Sequence, residues 1–68
     1  MPDQNEWETK AANMLKAELK RQGVTYAQLA ELIGEKEVNI RNKLSRGKFS
    51  AAFFLHCLAE LEVRALHL

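Results

Sequence analysis

TYAQLAELIGEKEVNIRNKLSRG, residues 25–47, decides the fold. Thr25 offers a hydroxyl to the first turn of a helix, and Gln28, three residues on, can return the bond, so T-Y-A-Q is a capping box. Tyr26, Leu29, Ala30 and Ile33 then recur at i, i+3, i+4 and i+7 and form a buried stripe, with Leu32 at its edge. Gly34 stops this helix, read as 25–33. A helix of about nine residues does not persist alone and must lean on neighbours. After the tight Gly34-Glu35-Lys36 connection a second helix, 37–46, runs as E-V-N-I-R-N-K-L-S-R before Gly47. At 100° per residue Ile40 and Leu44 lie together, whereas Val38, Asn39, Asn42, Ser45 and Arg46 project to the opposite side, flanked by Arg41 and Lys43.

Outward from this core, a helix over 6–22 carries Trp7, Ala11, Leu15 and Leu19 at i, i+4 spacing, with Ala12 and Met14 alongside, and ends at Gly23. Trp7 is expected as its first anchor. On the other side Ser50 caps a last helix, 50–62, bearing Phe53, Phe54, Leu55, Cys57, Leu58 and Leu61. The tail from Val63 to Leu68 alternates weakly and suits a short strand or one more helical turn. Residues 1–5 are expected to be disordered. The expectation is an all-α bundle of four to five short helices around a central helix-turn-helix, forming one domain over 1–68.

Composition sets the class. Sixty-eight residues support one small core, and 47% apolar with 28% charged residues is the balance of a soluble globular protein. Such a core yields only about 3 to 5 kcal/mol unless something adds to it, which makes dimerisation an expectation. The single cysteine, Cys57, excludes an internal disulfide and suits a reducing cytosol. Met1 to Lys10 is polar and acidic with no apolar signal core, and no apolar run approaches a membrane span. A cytoplasmic location without membrane contact is expected.

Net charge is only +1, yet it is unevenly spread. Between Lys36 and Lys48 five bases (Lys36, Arg41, Lys43, Arg46, Lys48) face one acid, Glu37, while the segments before and after are each net negative. A basic patch on a nearly neutral chain points to a specific anionic surface, the alternative being a solvated helix face.

Two short helices joined by a glycine-containing turn, the second with bases and amides outward, is the helix-turn-helix arrangement. LKAELKRQGVTYAQLAELIG, followed by IRNKLSRGKFSAAF, resembles the lambda-repressor-like helix-turn-helix domains of bacterial and phage regulators. The resemblance spans roughly Leu15 to Val63, with Leu29, Ala30, Ile33, Gly34 and Ile40 on the pattern's buried and turn positions. NIRNKLSRGKFSAAF also resembles a small bacterial family of that superfamily whose function is largely uncharacterised. Two positions depart from the pattern. An apolar residue usually follows the turn glycine and another lies three after the position of Ile40, but here stand Glu35 and Lys43, with Leu44 taking over the second role. That departure leaves room for a recognition helix rotated from the familiar docking.

The resemblance implies double-stranded DNA as the partner of a transcriptional regulator, with 37–46 in the major groove. Asn39 and Asn42 suit bidentate bonds to adenine, Arg41 and Arg46 suit guanine, and the Val38 methyls suit the thymine methyl or packing against the turn, with Ser45 on the same reading face. Lys36, Lys43, Lys48, Thr25, Tyr26 and Gln28 are candidates for phosphates, which position without specifying.

A homodimer through Phe53, Leu55 and Leu66 would set two recognition helices about 34 Å apart, one turn of DNA. The competing reading is a protein-interaction or dimerisation adaptor using the apolar last helix. RNA fits less well, because few aromatics lie outside apolar stripes. An enzyme is not expected. His56 and Cys57 point about 100° apart on a helix, and they and His67 are too few for a structural metal site. No cofactor or small-molecule substrate is expected.

Overall fold

The computed structural model describes residues 4–66. Four helices follow one another: α1 (Gln4–Gln22), α2 (Tyr26–Ile33), α3 (Glu37–Arg46) and α4 (Ala51–Glu60). The protein is an all-α bundle with a central helix-turn-helix formed by α2, the Gly34–Lys36 turn and α3. None of its described helices is long and apolar enough to cross a membrane. α1 packs on α3 and α4, and α2 packs on the same two.

The helix boundaries follow their caps. Thr25 Oγ1 accepts from Gln28 N–H at 3.1 Å, and Gln28 Oε1 accepts from Thr25 N–H at 2.8 Å, which completes the capping box. Gly34 (φ +72°) ends α2, and Ser50 caps α4 by accepting from Phe53 N–H at 3.0 Å. α3 begins differently: its N-cap, Lys36, supplies no side-chain bond.

The core gathers Leu15 and Leu19 from α1, Leu29 and Ala30 from α2, Ile40 and Leu44 from α3, and Cys57, Leu58 and Leu61 from the α4 end. Phe49 closes one side, its ring 5.4 Å from that of Phe53 and 5.9 Å from that of Phe54. No charged or polar side chain among the described residues is buried. The core is therefore apolar, and burial pushes the Cys57 thiol up to about 11.

Four expectations need correction. α1 starts at Gln4, so the disorder expected for 1–5 does not reach Gln4 and Asn5; residues 1–3 lie outside the described residues. Trp7 is no anchor but 54% exposed. The buried line of α1 is Ala12, Leu15 and Leu19, which one turn earlier meets Glu8 rather than Trp7. α4 ends at Glu60, two residues early, because Glu62 takes φ +59° and Val63 N–H bonds back to Leu58 O at 2.9 Å. This is the glycine-type helix stop built on a glutamate. After it, residues 63–66 form neither strand nor helix; His67 and Leu68 lie outside the described residues.

Gly47 does more than end α3. Its φ is +70°, and a Cβ placed there would stand 3.1 Å from the backbone carbon and oxygen of Glu8. The C-terminus of α3 thus rests close on the α1 backbone, where a Cβ would be crowded and the positive φ already favours glycine.

Candidate nucleic-acid interface

Ile40 and Leu44, fully buried, pin one side of α3 and so fix what the other side presents. Val38, Asn39, Arg41, Asn42, Ser45 and Arg46 are all exposed. Val38 is 54% exposed and stands outside the core.

The cations of this face are largely partnered. Arg41 Nη2 meets Glu37 Oε2 at 2.5 Å, one turn back on α3. Lys48 Nζ lies 3.0 Å from Glu8 Oε1 and 3.2 Å from Oε2, on the α1 turn that carries the Gly47 seat. Lys43 is half-buried between Glu35 Oε2 at 3.4 Å and the face of the Phe53 ring, 4.4 Å from its centroid. Among the described residues, Lys36 and Arg46 have no such partner, and neither do the side chains of Asn42 and Ser45. The excess positive charge of this patch is accordingly smaller than its sequence implies, since Glu8 and Glu35 join Glu37 beside the five bases. Exposed ion pairs of this kind contribute about 0 to 1 kcal/mol, so a phosphate can displace their carboxylates at small cost.

The remaining phosphate candidates divide. Thr25 Oγ1 and Gln28 Oε1 each accept a bond within the capping box, which leaves the Thr25 O–H and the Gln28 amide NH2 as donors. Tyr26 is half-buried against the core. Lys43 is drawn toward α4 and away from the outer face.

Glu35 is the residue that sequence reasoning treated only as a departure from a pattern. Its Oε1 accepts from Asn39 Nδ2 at 3.0 Å and from Lys36 backbone N–H at 3.1 Å. The bond from Asn39, then that from Lys36 and the Lys43 ammonium, hold its carboxyl below the usual carboxylate range. The spacing of four between residues 35, 39 and 43 was the available signal. No comparable signal links Glu8 to Lys48, forty residues apart.

The three dimer candidates do not stay together. Leu55 (64% exposed) and Leu66 (42%) line one shallow groove with Leu58, Ala59, Val63 and Ala65. Phe53 does not line it, being turned against Phe49. His56 is exposed, 3.7 Å from Glu60, while its neighbour Cys57 is fully buried, so the two face different surroundings. The described residues contain no cluster of three or more metal-ligating side chains.

No curated protein and no solved structure matches the chain. A family profile does match, over residues 7–66 and hence all four helices. The chain belongs to the family described as a domain of unknown function (DUF6471).

Proposed function

We propose that this protein binds duplex DNA in a sequence-specific manner, with α3 in the major groove, as a small cytoplasmic transcriptional regulator without enzymatic activity. The observation that carries the reading is the two-sidedness of α3: Ile40 and Leu44 are fully buried, and the opposite side is an exposed array of amides, guanidiniums, a hydroxyl and one valine. A helix held in this way fits the width of the major groove, and those groups match the donor and acceptor code of base edges. Arg46, Asn42 and Ser45 are unencumbered for base contacts, with Asn39, Arg41 and Val38 beside them. Lys36 and Lys48 flank them for phosphates.

The test is a salt titration of binding to random duplex DNA, for the wild type and for Arg41→Ala, Arg46→Ala combined. Affinity that falls steeply with salt, with a slope shallower by about one unit per lost contact in the variant, supports the reading. Absence of binding at low salt overturns it.

A second reading has its own observation. Leu55 and Leu66 are exposed and line one largely apolar groove beside Arg64, a surface suited to a second copy of this chain. Sedimentation as a monomer at high concentration refutes such a homodimer. A dimer that dissociates in Leu55→Glu supports it.

A further inference from the structure

The Glu35 carboxylate sits at the junction of the turn and α3 and gathers three donors: Asn39 Nδ2 (3.0 Å), the Lys36 backbone N–H (3.1 Å) and Lys43 Nζ (3.4 Å). An ionised carboxylate has only acceptors. Asn39 must therefore turn its nitrogen toward Glu35 and its Oδ1 away, whereas an asparagine facing solvent presents either end. The hub is itself anchored, because Lys43 is held from the far side by the Phe53 ring of α4.

The two hydrogens of an amide nitrogen make this arrangement compatible with base reading. One is given to Glu35. The other, with Oδ1, still forms a donor and acceptor pair, which is what the N7 acceptor and N6 donor of adenine complement in the major groove. With the orientation reversed, donor would meet donor.

We propose that Glu35 is a positioning residue, one that touches no base itself but fixes the polarity of the Asn39 amide and so makes Asn39 selective for adenine. The inference rests on the DNA reading of α3 and deepens it, assigning part of the specificity to a carboxylate that would otherwise only weaken binding to a polyanion.

Two measurements test it. In the free protein, the side-chain amide resonances of Asn39 in 15N-resolved NMR should move as Glu35 titrates in acid, and should not do so in Glu35→Gln. Resonances indifferent to Glu35 overturn the proposal without reference to DNA. The second is selection from a random duplex library with the wild type, Asn39→Ala and Glu35→Gln. The wild type should enrich a site in which one adenine is lost with Asn39→Ala. In Glu35→Gln, whose amide satisfies either orientation of Asn39, preference for that adenine should fall about tenfold while the other positions keep theirs.

An unchanged adenine preference in Glu35→Gln overturns the positioning role and leaves DNA binding standing. No enrichment by the wild type overturns DNA binding and this role together. Identical circular dichroism of wild type and Glu35→Gln excludes misfolding as the cause of the relaxation.

Discussion

α2 and α3 are neighbours of similar length, eight and ten residues, yet they are held in opposite ways. α2 is rich in apolar residues and specified locally, with a reciprocal capping box at one end and a left-handed glycine at the other. α3 is polar along most of its length and lacks a side-chain N-cap; it shares the left-handed glycine stop, at Gly47, but owes its place to two buried side chains and the Gly47 seat on α1, with the Glu35 hub at its start. The helix that presents the candidate interface is thus the one whose position depends on the whole fold. A surface whose outward residues are chosen for recognition has little sequence left for local stabilisation, and the burden passes to its inner face.

The largest effect should come from removing that inner face. Ile40→Ala should cost about 2 to 5 kcal/mol, comparable to the whole stability of so small a core, and a urea melt followed by circular dichroism should find the variant largely unfolded. A melt within 1 kcal/mol of the wild type would mean that α3 is not held as described. Next come the glycines that end the two helices. Gly34 and Gly47 share nearly the same φ, but a Cβ at Gly34 meets open space while one at Gly47 meets the backbone of Glu8. Gly34→Ala should cost about 1 kcal/mol, from backbone strain alone, and Gly47→Ala clearly more, about 2 to 3 kcal/mol. Equal losses would show that the α1 contact yields freely.

The caps give a smaller and more discriminating pair. Thr25→Ala should destabilise by about 1 kcal/mol, whereas Lys36→Ser, which supplies α3 with the cap it lacks, should stabilise by about 0.5 to 1 kcal/mol. The same serine removes one of the two unpartnered cations of the candidate interface, so its gain in thermal stability should accompany weaker binding to duplex DNA. A change as small as the serine cap lies outside both helices. Glu62 occupies the left-handed position after α4, and Glu62→Gly should raise stability by about 0.5 to 1 kcal/mol in the same melt.

What could be read from the sequence follows the same division. α2 and α3 were legible to within a residue because Thr25, Gln28, Gly34 and Gly47 act on the chain beside them. Ile40 and Leu44 were legible as anchors because helical periodicity is a local property. Trp7 misled because a strict i, i+4 line drifts about 40° around the helix at each step, whereas the buried face of α1 runs through Glu8, Ala12, Leu15 and Leu19, with Gly47 seated on Glu8. The end of α4 misled because the left-handed stop falls on a glutamate. The charge of the α3 face was overestimated for a related reason. Segment charge counts residues adjacent in sequence, and Glu8 joins the patch only through folding. Glu35 is the intermediate case: its spacing to Asn39 and Lys43 was visible, but its role required knowing that the turn brings its carboxylate alongside α3.

The fully buried Cys57, with its thiol raised to about 11, has a use beyond packing. At neutral pH almost none of it is thiolate, the reactive form, and no reagent reaches it in the closed bundle. Its route to modification is a momentary opening of the packing around α4, local or global. Where closing outpaces labelling, the rate at which a thiol reagent labels the native protein reports the fraction of molecules open around Cys57, and ligand that binds only the closed form should slow that labelling as its occupancy rises. The protein carries an internal gauge of its own opening, one that can be read with random duplex DNA in the tube.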